Sequence, residues 1–400
     1  MIESQKKTTK ILQTGLYFCI TILLGLFLAA RGAMLPNLAE QVGVGLGQIG
    51  IIITASSIGF LIANLVIGRL YDRIPGHRLM MIAAIITAII VALLPLANRI
   101  GWLFFIFLLS GTARGALILG TNTLPLWIHG EKSATVMTAL AGFFGAGSIL
   151  GPMIVSRILD LTGQTDWVFW ISSIGFLLLL PLTFLIPSPP IRKEPVSNPK
   201  SLAAHTINEN KQIIVLMAIF LVFYVGAEVG LGSWITTFGK TQLPLEEAAR
   251  AYELASAFWL AMMGGRFLSS LLSTRIGTEK LLALNLFGMI ASLLVVIFSA
   301  GTWGLLLGGT IILGLSMASM FPLIFSWAEE VMDVTGRISS SLFIGASTGS
   351  IIFPLVMGNL MENANPISVM VMLLGMTLVN IVIFGFLYLA IRRNKTKHQG

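Results

Sequence analysis

The chain has 400 residues, of which 56% are hydrophobic and only 10% charged, with a formal net charge of +8. A soluble domain carries charge on about a quarter of its residues, so this composition excludes one and makes lipid the solvent for most of the chain. The basic residues sit in short connections between apolar runs, a topology signal and not a nucleic-acid surface, and the single cysteine, Cys19, excludes an internal disulfide.

In chain order, Met1 to Lys10 is polar and basic and leads into an apolar run of about 25 residues. That is long enough to cross a bilayer and longer than the apolar core of a cleaved leader, so a retained first span is expected. It occupies 11–35, and comparable runs follow at 47–70, 79–97, 102–126, 134–159 and 167–187. Six more lie at 212–238, 250–273, 280–300, 303–328, 338–361 and 367–391. None alternates with period two, so all twelve are expected to be transmembrane helices and not barrel strands. With the N-terminus in the cytoplasm, eighteen Lys and Arg residues fall on that side, against only Arg99, Arg157, Lys240 and Arg250 on the other. This asymmetry predicts a multi-pass protein of the plasma membrane, the inner membrane of a bacterial cell, with both termini cytoplasmic.

After the second span the chain reads Gly68-Arg69-Leu70-Tyr71-Asp72-Arg73-Ile74-Pro75-Gly76-His77-Arg78. A carboxylate at Asp72 suits the N-terminal turn of a neighbouring helix, where the macrodipole favours negative charge. Asp72 and Arg73 are therefore expected to serve as a gate, while a purely topological role for the basic residues stays open. The fourth span carries Arg114 and Gly120-Thr121-Asn122-Thr123-Leu124. The fifth carries Gly147-Ser148-Ile149-Leu150-Gly151-Pro152, whose small residues four apart and proline permit close packing and a bend. The stretch 188–211 holds Pro189, Pro190, Pro195 and Pro199 among charged residues. It reads as a cytoplasmic linker between a half at 1–187 and a half at 212–400.

The rest of the chain is organised around the seventh span, where Phe223-Tyr224-Val225-Gly226-Ala227-Glu228-Val229-Gly230-Leu231-Gly232-Ser233-Trp234 sets a carboxylate inside an apolar segment. A charge at that depth costs roughly 2.5 to 3.5 kcal/mol on insertion scales, so Glu228 is expected to be functional and to have a partner, with a structural ion pair as the alternative. The eighth span carries Phe258-Trp259-Leu260-Ala261-Met262-Met263-Gly264-Gly265-Arg266. Arg73 and Arg275 stand 202 residues apart, as do Gly147 and Gly349, and Pro152 and Pro354. Near the start of each half the offset is 197, which sets Arg31 opposite Glu228. Parallel repeats with a site near the midplane between them are one architecture of secondary transporters.

The loop around Asp72 resembles the one between helices 2 and 3 that marks the major facilitator superfamily, with Pro75 inserted before the glycine and His77 where arginine is commoner. The resemblance implies twelve helices in two pseudo-symmetric six-helix halves, and a contact between Asp72 and the start of the eleventh helix, after Gly336-Arg337. The seventh and eighth spans, with Asn122 on the fourth, are similar to the sugar-transporting branch of that superfamily, the fucose and glucose proton symporters and their sodium-dependent glucose relatives. Two departures stand out. The position four before Asn122, a carboxylate in proton-coupled members, is Ile118, and the acidic residue late in helix 1 is replaced by Arg31 or Gly32. Glu228 is then the one deep acid left to carry coupling by H+ or Na+.

Against it stand Arg31, Arg114 and Arg266, an excess of two positive charges among the intramembrane side chains. Such arginines face the bundle interior or a watered cavity and would suit a carboxylate or phosphate on the solute. Equally, Arg31 and Arg266 lie near helix ends and can bond to carbonyls. Trp127, Trp234, Trp259 and Trp327 can stack on a sugar ring or anchor at the interface; the ends of spans suit anchoring for Trp127 and Trp327, while Trp259 lies deep. The histidines at 77, 129, 205 and 398 fall in loops or tails without ligand spacing, no phosphate-binding glycine loop is present, and no nucleophile stands with a base at plausible spacing. These absences point to a non-enzymatic role with no metal or cofactor, and the resemblance implies transport: a monomer in the lipid bilayer moving a small polar solute, a sugar. The substrate set is Arg31, Arg114, Asn122, Glu228, Trp234, Trp259 and Arg266. Export of an organic anion or amphiphile, and a transporter-like sensor, remain as alternatives.

Overall fold

A computed structural model of the chain describes residues 2–71, 73–129, 133–191, 210–273, 275–299, 301–332, 334 and 336–397. The linker expected at 188–211 lies largely outside them, and so does Asp72. Twelve long helices are present among the described residues. The first six are α1 (Ile2–Ala33), α2 (Leu46–Tyr71), α3 (Gly76–Leu96), α4 (Ile100–His129), α5 (Ser133–Thr162) and α6 (Asp166–Leu185). The second six are α7 (Lys211–Gln242), α8 (Arg250–Ser273), α9 (Thr278–Ile297), α10 (Trp303–Val331), α11 (Gly336–Asn363) and α12 (Ile367–Lys397). Eleven are long and apolar enough to cross a membrane. The exception is α8, where Arg250, Glu253 and Arg266 dilute the apolar character of a 24-residue helix.

Local sequence explains the interruptions. The first span ends at Ala33, two residues earlier than expected, because Pro36 opens a separate short helix, Leu35–Val42, closed by Gly43 at φ 67°. That left-handed conformation is open to glycine without a Cβ penalty. Gln41 in this helix donates to the carbonyls of Leu94 and Ala97 at 2.9 and 2.8 Å, tying it to the end of α3. A π-helical turn interrupts α2 at Ala63–Ile67. The tenth span breaks between Met317 and Met320. Ser319 in that break accepts from Ser269 of α8 and Asn285 of α9, both at 2.8 Å, so polar groups freed at membrane depth are satisfied by neighbouring helices.

The two halves repeat their packing. In the first, α1 lies on α5, α2 on α4 and α3 on α6; in the second, α7 lies on α11, α8 on α10 and α9 on α12. The contacts are close because small residues let backbones meet. A methyl group at Gly147 would run into the Ile22 carbonyl, and one at Gly349 into the Val222 carbonyl.

At the end of the bundle away from the termini the halves are joined. Thr54 of α2 donates to the Ile351 carbonyl of α11 at 2.6 Å, Ser57 to the Ser350 carbonyl at 3.1 Å, and the Gly47 N–H to Glu362 Oε2 at 2.7 Å. At the same end α1 and α7 cross with Gly32 against the carbonyls of Gly232 and Ser233.

A candidate solute cavity between the halves

A cavity of about 440 Å³ lies between the two halves. Its lining comes from the middle of α1 and α7, and from the parts of α4, α5, α10 and α11 that run toward the termini, including Asn122, Met137, Phe321 and Phe343. The cavity therefore extends toward the end that holds the termini, and the hydrogen bonds between α2 and α11 close the other end. Six of the seven residues expected to bind solute line it: Arg31, Arg114, Asn122, Glu228, Trp259 and Arg266.

The seventh does not. Trp234 is fully buried, and its indole N–H donates to the Pro354 carbonyl at 2.8 Å, so it joins α7 to α11 instead of facing the solute. Arg73 is exposed in the turn between α2 and α3. The contact expected of Asp72 with the start of α11 falls outside the described residues. Two further expectations from sequence change. His77 is buried, not in a loop, its Nε2 2.9 Å from the Tyr17 hydroxyl and its Nδ1 2.8 Å from the Ile186 carbonyl. Trp327 is buried against Phe384, with ring centroids 5.5 Å apart, and is no interfacial anchor.

The repeat set Arg31 opposite Glu228, yet the structure pairs them differently. Glu228 faces Arg266 of α8, with 3.7 Å between Oε1 and the guanidinium, because α8 packs beside α7 within the same half. Arg266 also donates through Nε to the Ala318 carbonyl in the α10 break, at 3.4 Å. Tyr224, one helical turn before Glu228, lies against its carboxylate and donates its own proton to the Met317 carbonyl at 2.7 Å. The position of Tyr224 four residues before an intramembrane acid was the signal that could have found it.

Arg31 has no acid. It is 4% exposed and donates to Ser56 Oγ at 2.9 Å. Arg114 rests over the Phe60 ring, its guanidinium carbon 5.6 Å from the centroid. Ser56 and Phe60 carry no pattern in the sequence that marks them, since they meet these arginines through the packing of α2 on α4 and the reach of Arg31 from α1. Trp259 is 8% exposed and its indole nitrogen meets no acceptor among the described residues. Among the described residues no group of three His, Cys, Asp or Glu side chains gathers to hold a metal ion.

The family model for the Major Facilitator Superfamily matches residues 17–352 and 254–400. The chain is similar to the sodium-dependent glucose transporter 1A of Mus musculus, 26% identical over 399 residues, which covers 91% of this chain and 93% of that one. It is also similar to the glucose/galactose transporter of Brucella abortus, 29% identical over 322 residues, with 76% of each chain covered. In three dimensions it resembles the crystal structure of the nucleoside transporter NupG, with a TM-score of 0.75, 18% identity, and coverage of 95% of this chain and 99% of that one.

Proposed function

The chain belongs to the Major Facilitator Superfamily, and from that premise we propose that it is a secondary active transporter of a sugar or closely similar hydroxylated solute, coupled to H+ or Na+ through Glu228. The observation that carries this reading is the cavity itself. It lies between two halves of like packing, is closed at one end by hydrogen bonds between those halves, and holds a single acid among its lining residues. Curated relatives named for glucose and galactose transport support the sugar assignment, and one named as sodium-dependent supports a cation as the driving ion.

Alternating access follows if the halves, 1–187 and 212–400 about the connecting segment, rock against each other. The contacts of Thr54, Ser57 and Gly47 with α11 then separate at one end while the other closes. Glu228 exchanges partners during this cycle. With Arg266 beside it the carboxylate is neutralised internally; a proton or Na+ takes that place when Arg266 swings away, which its partial exposure permits. A ligand shifts the equilibrium between the two access states only by binding one better than the other, and the Glu228 charge is the group able to make that difference for a cation. Asp72 and Arg73 are assigned to the gate at the cytoplasmic end of α2. The basic loops support a cytoplasmic location for both termini, and on that reading the cavity opens inward. Single cysteines at Lys6 and Leu243, in a Cys19→Ser background, should be labelled from the cytoplasm and from outside respectively; the reverse pattern overturns that orientation.

The coupling role is tested in proteoliposomes with Glu228→Gln. Accumulation against a gradient should be abolished while exchange of labelled solute for unlabelled solute persists. A variant that still concentrates its solute removes Glu228 from the coupling step.

A further inference from the structure

We infer that the solute carries an anionic group, a carboxylate or a phosphate monoester on a hydroxylated carbon skeleton, and that this group seats between Arg31 and Arg114. The inference rests on reading the cavity as the transported solute's site and specifies the chemical class that the site takes. Charge carries the first part of the argument. The cavity lining contains three arginines and one acid. Glu228 and Arg266 face each other at 3.7 Å and form a neutral pair. Arg31 and Arg114 are left with two positive charges that interact through space, and Ser56 and the Phe60 ring, their protein partners, carry no formal charge.

Hydrogen-bond capacity carries the second part. The Nε atoms of Arg31 and Arg114 and the indole Nε1 of Trp259 are buried donors without an acceptor among the described residues. Buried polar groups are normally hydrogen-bonded, so each such donor calls for an explanation. All three belong to residues lining one cavity; the atoms themselves are closed to water, so a ligand with several acceptor oxygens reaches them once these side chains turn toward it. The hydroxyls of a neutral sugar accept hydrogen bonds but leave both charges unmatched. A carboxylate or phosphate does both, and guanidinium groups grip these oxyanions in a planar fork. Asn122 and Thr121 on α4 and Ser347 on α11 line the same cavity and supply neutral partners for hydroxyl groups on the rest of the solute.

The test measures binding of D-glucose, D-glucuronate and D-glucose 6-phosphate to the purified full-length protein. At least one of the two anions should bind roughly tenfold tighter than glucose or better, the scale of one charge-assisted contact, and the comparison of the two tells carboxylate from phosphate. Arg31→Gln and Arg114→Gln should erase that preference without lowering the melting temperature of the ligand-free protein, because each removes an unmatched positive charge. A merely structural arginine would lower it. Glucose binding as tightly as both anions overturns the anion assignment and leaves the transporter reading intact. If no solute of the three binds or exchanges in proteoliposomes, the sugar reading fails and the inference falls with it. The wild-type comparison decides even if a variant does not fold.

Discussion

The two halves of the bundle share their packing and divide in their chemistry. Gly147 on α5 approaches the Ile22 carbonyl of α1, and Gly349 on α11 approaches the Val222 carbonyl of α7, so the same backbone contact occurs twice. The charges do not repeat. In the second half Glu228 and Arg266 face each other, while in the first Arg31 and Arg114 meet, among the described residues, a serine hydroxyl and an aromatic face. Packing of helices in lipid depends on small residues and close backbones, which constrains both halves alike. The cavity side chains are free of that constraint and can differ, so functional asymmetry sits on a symmetric frame.

The largest expected effect breaks the shared part of this comparison. Gly147→Val and Gly349→Val should each destabilise the protein by about 3 kcal/mol or more, since the added side chain meets a neighbouring backbone that cannot yield. The yield of monodisperse protein and its melting temperature are the readouts. Tolerance at one site and collapse at the other would show that the packing is not equivalent. A smaller effect sharpens the difference in charge. Arg266→Gln should cost about 1.5 kcal/mol, a modest figure because the pair is partly exposed, and Glu228→Gln in the same chain should recover part of it. Equal losses in Arg266→Gln and Arg114→Gln, measured as melting temperatures, would remove the distinction between matched and unmatched arginines. The smallest concerns Trp234, whose hydrogen bond to Pro354 belongs to the second half alone. Trp234→Phe should cost about 1 kcal/mol, the net value of one such bond, with solute affinity unchanged; weakened affinity at constant stability would return Trp234 to the solute site.

Much of the fold was legible because lipid applies a simple filter. Eleven of the long helices satisfy it by length and apolar content; the twelfth, α8, was read as an apolar run at 250–273 with the others, although Arg250, Glu253 and Arg266 dilute it. The 202-residue offset anticipated that Gly147 and Gly349 would play the same part. The break in α10 was not anticipated, although Pro322 marks it: proline lacks the N–H that would bond the Ala318 carbonyl, and the interruption is stabilised by Ser269, Asn285, Arg266 and Tyr224 from other helices. Trp234 and Trp259 were both expected in the solute site, yet one spends its N–H on α11 and the other meets no acceptor among the described residues.

The sequence by itself determined which segments enter the membrane, the internal repeat, and which ionisable residues lie too deep to be solvated cheaply. These properties follow from local composition and spacing, because hydrocarbon selects on segment length and penalises each charge wherever its neighbours are. Tertiary structure alone decided the partners. Glu228 took Arg266 from α8 and not its repeat mate Arg31, His77 was buried against Tyr17 and Ile186, and Arg31 and Arg114 came to line one cavity assembled from both halves. Ion pairing and hydrogen bonding act over a few ångströms, and distances of that order between separate helices are set by how the helices pack, which no spacing along the chain encodes.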